Sequence, residues 1–216
     1  MTLTSKYGNF LTVLLVVLII GILGGTGFLV YNYVIKPRLD NDRSIEAIAE
    51  FDRATEEKTE DDGQIGDIEG VDGTNTGKKS KVYYQGFVML GYITIPKTNV
   101  KQPILDQVTP DSLNAAVATL YPSNPQLNKP GNVVIVGHNY RNGKFFSDNN
   151  KLSIGDKINI KDNTGTELTY TIYQKFQTTE QDTSFYTRDT KGVPEITLST
   201  CTDDSKARII ILAKAD

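Results

Sequence analysis

A single cysteine, Cys201, and a single histidine, His138, are the residues of this 216-residue chain best suited to covalent chemistry. One cysteine cannot form an internal disulfide. One cysteine with one histidine also falls short of the three or four ligands of a Cys/His zinc site. What remains for Cys201 is nucleophilic chemistry, or burial as a small apolar side chain. The segment EITLSTC reads as a strand and ARIIILA as its neighbour, with Thr202-Asp203-Asp204-Ser205-Lys206 between them. With Asp204 and Ser205 at the centre of a hairpin turn, Cys201 stands directly opposite Arg208 on one face, with Cβ atoms about 4.5–5.5 Å apart. A slip of one residue would send the two side chains to opposite faces, and Asp-Ser lacks the glycine usual in such turns. A guanidinium beside a thiol favours the thiolate nucleophile. It also supplies N–H donors for an oxyanion, an effect worth about 2.7–4 kcal/mol per donor.

His138 follows the strand-like run NVVIVG and opens a polar stretch, Asn139-Tyr140-Arg141-Asn142-Gly143. Functional groups gather at such strand ends. Acyl transfer from a cysteine needs a proton donor for the leaving amine, a task that suits an imidazole. Any histidine-assisted chemistry must use this one. Taken singly, each residue also has a plain structural reading: a buried thiol, a solvated strand arginine, a hydrogen-bonding histidine.

These residues need elements to hold them. Short β-branched runs separated by Gly, Pro, Asn and Asp predict strands over 87–95, 100–105, 133–136, 157–161, 168–173, 195–200 and 208–213. Helical periodicity is confined to 111–119 and 145–151, with Pro122, Pro125 and Pro130 closing off the first. Many short strands with regular turns imply a mainly β domain, a barrel or sandwich, starting near Val82. Ile95-Pro96-Lys97-Thr98-Asn99 reads as a strand-end turn.

Ahead of that domain, residues 10–31 are uncharged and rich in Leu, Val and Ile. As a helix they span about 33 Å, enough to cross a hydrocarbon core. The stretch is too long for a signal-peptide core and lacks an A-x-A-like cleavage site, which predicts an uncleaved anchor. Lys6 precedes it and Lys36 and Arg38 follow, so flanking charge does not set its orientation. Residues 44–51 predict a short amphipathic helix with Ser44 as N-cap. The acidic, Gly-rich run that follows cannot bury enough surface to offset its ordering entropy and reads as a spacer. The layout is therefore 1–9 terminus, 10–31 anchor, 32–80 spacer and 81–216 folded domain. A net charge of -3 gives no basic face for displacing phosphate counterions, and nucleic acid is not an expected partner.

The combination of GHNYRNG after NVVIV, TLSTC at 197–201, and Arg208 on the next strand closely resembles the sortase family. GYITIPKTNVKQPIL (91–105) resembles that family's first strands, so the likeness spans the whole predicted domain. The resemblance implies a closed eight-stranded β-barrel and a two-step transpeptidation. By carry-over, Cys201 attacks a C-terminal sorting signal on a secreted protein and forms a thioacyl enzyme. His138 protonates the departing amine and later takes a proton from the incoming one. Arg208 steadies the oxyanion and holds the substrate backbone, and Thr200 assists by hydrogen bonding. In such enzymes cysteine and histidine coexist as thiol and imidazole with a minor reactive ion pair, so their titrations couple. The acceptor implied is an amine of a cell-wall peptide precursor or of a pilin lysine. The cell membrane is the implied location, with the N-terminus cytoplasmic and the catalytic domain outside.

TLSTC and GHNYRNG resemble class B members, but the 177–195 connection is too short for the long helix that class inserts there. No D-P-W/F-type lid motif is present, and classes D and E stay open. Glu180, Asp182 and Asp189 lie where some class A members bind calcium. Here they read as a solvated loop, and neither metal nor cofactor is expected. Two other readings stand beside the transpeptidase: a non-catalytic membrane-tethered β-barrel that binds partners, and a cysteine protease that passes the acyl group to water.

Overall fold

Period-two alternation along the strands separates an inside from an outside. The computed structural model describes residues 3–61 and 81–216, with strands β1 (Tyr83–Tyr84), β2 (Phe87–Ile95), β3 (Val100–Leu105), β4 (Val117–Tyr121), β5 (Gly131–Val136), β6 (Lys157–Asp162), β7 (Glu167–Thr178), β8 (Pro194–Cys201) and β9 (Arg208–Ala215). Strand β1 forms a short hairpin with β2. The other eight run in the order β2-β3-β4-β5-β8-β9-β7-β6, and β6 pairs back with β2 to close the barrel. This is the expected eight-stranded barrel. Pairs β3–β4 and β5–β8 are parallel and the rest antiparallel.

Val133 and Ile135 of β5, Ile196 and Leu198 of β8, and Ile209 and Ile211 of β9 point inward and fill the barrel together. Their neighbours Val134, Ile210 and Leu212 point outward, where Phe185 packs over them. Closure between β2 and β6 depends on Gly91. It lies opposite Asp162, and a Cβ there would sit 2.2 Å from the Lys161 carbonyl oxygen and 2.8 Å from Leu127 Cδ1.

Three elements differ from the sequence expectation. The helix expected over 111–119 stops early: α3 is Pro110–Ala115, and the chain turns into β4. Its start carries a capping box between Thr109 and Ser112, whereas β-branched Val117 opens a parallel ladder with β3 and β-branched Thr119 pairs antiparallel with Ile135 of β5. Over 145–151 only a 3₁₀ turn, Asn149–Lys151, is helical. There Ser147 Oγ takes the Tyr140 N–H and donates to the Lys144 carbonyl, bonds that compete with a helical ladder. Strand β7 runs on to Thr178, five residues past its expected end, because β9 pairs with its polar continuation. The 95–99 segment is a turn as expected: Pro96–Thr98 is 3₁₀, and Asn99 closes it at φ 53°.

The chain divides into units Met1–Ile45 and Glu46–Asp216. The first contains α1 (Leu3–Val30) and a π-helical turn, Tyr31–Ile35. Among the described residues this holds the one helical stretch long and apolar enough to cross a membrane. Helix α2 (Lys36–Asp61) follows, so residues 44–51 are the middle of a longer helix and Ser44 does not start it. Within the second unit, Ile48 and Phe51 of α2 pack with Val82, Met89 and Tyr92. Asp52 pairs with Lys161 Nζ at 2.7 Å and accepts from the Tyr92 hydroxyl at 3.2 Å. Each buried apolar side chain contributes about 1.5–3 kcal/mol, so this face, rather than helix propensity, holds α2 in place.

Replacing Gly91 with alanine should lower unfolding free energy by about 1–3 kcal/mol, because the obstructing atom is backbone. Urea denaturation measures it, and an unchanged midpoint would contradict the closure argument.

Candidate active site

Three adjacent strands end or begin at one rim of the barrel, and their register decides which side chains meet there. Cys201, the last residue of β8, lies directly opposite Arg208, the first of β9. The expected pairing therefore forms, through a four-residue loop, 203–206, closed by Thr202 N–H to the Ala207 carbonyl. A loop symmetric about the Asp204–Ser205 centre preserves the pairing of a two-residue turn. Parallel β5 and β8 finish with Val136 opposite Ser199. His138 follows two residues past that pair, within range of the Arg208 charge. Gly137 N–H donates to the Ser199 carbonyl at 3.2 Å and Asn139 Nδ2 to the Cys201 carbonyl at 3.0 Å, so the strands stay zipped past their formal ends. Cys201, Arg208 and the His138 position all belong to the outward-facing set of their strands, away from the packed interior.

Arg208 uses both ends of its guanidinium. Nη1 donates to Cys201 Sγ at 2.5 Å, and Nη2 to Glu180 Oε1 at 2.6 Å. Cys201 is partly exposed. Burial of the imidazole, and then the charge of Arg208, hold the pKa of His138 below its ordinary 6.5. The imidazole packs against Tyr140 in a tilted arrangement, with ring centroids 4.9 Å apart and planes at 37°. The Tyr140 hydroxyl donates to Asn114 Oδ1 at 3.0 Å, which ties this ring to the end of α3. Glycine precedes His138 for a steric reason: a Cβ at 137 would lie 2.8 Å from both Phe146 and Val117 side chains.

Thr200, expected to assist the chemistry by hydrogen bonding, faces the other way. It is buried and donates its hydroxyl to the Gly137 carbonyl at 2.7 Å. That bond spaces β8 against the residue before His138, so Thr200 acts on the strands that carry the site.

Residues not singled out from sequence complete the frame. Asn139 Nδ2 also reaches Asp203 Oδ1 at 2.8 Å, and Arg141 Nη2 donates to Ser205 Oγ at 3.1 Å, joining the His138 loop to the Cys201 turn. The β7–β8 connection lies over the outer face beside the site. Asn132 Nδ2 holds the Tyr186 carbonyl at 2.9 Å, while Arg188 bonds Glu195 at 2.5 Å and Thr197 Oγ1 at 2.9 Å. Of the three acids in this connection, Glu180 takes Arg208, Asp182 takes Thr178 and the Ser184 N–H, and Asp189 takes the Lys191 N–H. Among the described residues no cluster of three or more metal-ligating side chains forms. Asn139 and Tyr140 were within the quoted GHNYRNG motif. Glu180 could be placed only once β7 was known to reach Thr178, the partner of Arg208.

A thiol with a guanidinium on one side and an imidazole at the same rim can attack a carbonyl, steady the resulting oxyanion and exchange a proton with an amine. The family model for the sortase domain matches residues 93–216, more than half of the chain. Sortase A of Bacillus anthracis is 32% identical over 126 residues, covering 56% of this chain and 58% of that protein, so this chain spans less than two thirds of its length. Among solved structures the fold is similar to a Clostridium perfringens sortase D5 transpeptidase, with TM-score 0.59, 24% identity, and coverage of 81% of this chain and 99% of that one. Listeria monocytogenes sortase A gives TM-score 0.54 at 23% identity over 59% of this chain and 87% of that one. These relatives carry class labels A and D, and the likeness does not select between them.

Because the chain has one histidine, its imidazole titration can be followed by NMR without ambiguity. The midpoint should lie below 6.5 and rise in Arg208→Ala, where the opposing charge is gone but burial remains. A midpoint unmoved by that substitution would separate the two groups.

Proposed function

The chain belongs to the sortase family, and on that premise we propose that it is a membrane-anchored cysteine transpeptidase acting on the outer face of the cell. The observation that carries this reading is the outward-facing pair of Cys201 and Arg208, with His138 at the end of the neighbouring strand and within range of the Arg208 charge. Residues 10–31 serve as the anchor, with 1–9 in the cytoplasm. The stretch 32–80 bridges to the catalytic domain, 81–216, and contributes the later part of α2 to the folded unit.

In the first half-reaction, Cys201 Sγ attacks the carbonyl carbon of a Thr–Gly-type bond in a C-terminal sorting signal. Its proton passes by way of His138 to the departing amine as the C–N bond breaks, leaving a thioester on the enzyme. Arg208, whose guanidinium already touches the sulfur, offers N–H donors where the carbonyl oxygen gains charge. In the second half-reaction an amine of a cell-wall precursor or a pilin lysine attacks the thioester. His138 takes its proton and the thiol is regenerated. Burial and the nearby guanidinium both disfavour the imidazolium, so protonated His138 is a short-lived acid.

The test is intact-mass detection of a thioacyl adduct after incubating the detergent-solubilised chain with sorting-signal peptides. Wild type should gain the acyl mass and Cys201→Ala should not. Release of the acid alone, even with an amine acceptor present, would mark a protease. Failure across varied pentapeptide signals would remove the enzymatic reading.

Arg208→Lys should be nearly as damaging as Arg208→Ala, because an ammonium cannot point one donor at Sγ while a planar fork serves a second acceptor. Loss of this donor set should reduce kcat/KM by about 10²–10³-fold in both variants. Near-normal turnover in the lysine variant would argue against the assigned role.

A further inference from the structure

Arg208 is flanked by Cys201 on β8 and Thr178 on β7, and Glu180 stands two residues past Thr178. We propose that Glu180 is a positioning residue for the reaction, holding Nη2 of Arg208 so that Nη1 stays on the Cys201 sulfur. The inference rests on the reading of the Cys201–His138–Arg208 site given above.

The geometry favours an anchor over a competitor for the substrate's place. A guanidinium has five N–H donors in a fixed plane. One is on Sγ and one on Glu180, which leaves three for a substrate carbonyl or an oxyanion. Glu180 therefore need not leave for chemistry to proceed. Two contacts at opposite ends of the fork fix the plane in which the remaining donors lie. One contact alone would let it swing about Cδ–Nε.

Glu180 is itself held at the rim by local structure. Asp182 N–H donates to the Thr179 carbonyl at 3.3 Å, and Asp182 Oδ2 accepts from Thr178 Oγ1 at 2.5 Å. These bonds curl the start of the β7–β8 connection next to Arg208. Asp182 and Asp189 are spent on their own turns, so Glu180 is the acid of this connection that turns toward the site. Its side chain is 69% exposed, which limits the contribution of the pair. An exposed ion pair of this kind is worth a factor of about two to five in rate, not orders of magnitude.

Two measurements on the detergent-solubilised full chain test this. In sorting-signal cleavage, Glu180→Ala should lower kcat about two- to fivefold with KM unchanged, and Glu180→Gln, which keeps an acceptor oxygen, should recover most of the loss. The second readout does not depend on turnover: the heteronuclear NOE of the Arg208 Nε–H, assigned by its disappearance in Arg208→Lys. It should be high in wild type, fall in Glu180→Ala, and stay near wild type in Glu180→Gln. Unchanged kcat and NOE in Glu180→Ala, a loss confined to KM, or a rise in kcat would overturn the inference; the last would make Glu180 a competitor for the fork. Where wild type cleaves no signal peptide, the functional reading has failed, and the NOE still decides whether Glu180 fixes the guanidinium.

Discussion

Backbone register across β5, β8 and β9 is the constraint from which the site follows. The antiparallel ladder sets Cys201 against Arg208, and the parallel ladder, which ends with Val136 opposite Ser199, delivers His138 to the same end of the barrel. Side chains alternate with a period of two, so each of these placements is also a choice of face. Nothing about the three residue types would bring them together without those ladders. The reinforcing bonds beyond the strand ends, from Gly137, Asn139 and Thr200, matter because ladders fray where strands stop.

A single charge shapes the chemistry of its two neighbours in different ways. Arg208 gives the sulfur a cationic hydrogen-bond partner, and the same charge works against a proton on His138. Burial acts on the imidazole in the same direction. Both effects favour the neutral imidazole over the imidazolium. Tyr140, whose hydroxyl donates to Asn114, packs against that ring.

Much of this could be seen in the residues. Short β-branched runs bounded by Gly, Pro, Asn and Asp placed most strands, and the turn centred on Asp204 and Ser205 was enough to pair Cys201 with Arg208. What escaped was governed by partners distant in sequence. Residues 117–119 read as the end of a helix, where β3 and β5 instead claim them as strand, and the strand expected to end at 173 continues through polar 174–178 because β9 supplies its ladder. Thr200 was placed beside the chemistry by its motif, yet parity along β8 puts it underneath, with the interior residues. Glu180 was read as solvated because a single acid in a loop carries no sign of its partner. The packing of α2 on the barrel was hidden likewise, since its apolar stripe is short and its surroundings acidic.

The alternation that fills the barrel also divides labour between neighbouring positions. Along β8, Ile196, Leu198 and Thr200 face inward, and Thr197, Ser199 and Cys201 face outward. Folding and reactivity are thereby assigned to interleaved sets of residues that share a backbone but not a surface. Changes in the hydrophobic set alter how firmly the scaffold stands, and changes in the connections laid over the exterior alter the surface around the rim. A scaffold partitioned in this way can rebuild its exterior while Cys201 and Arg208 keep their place.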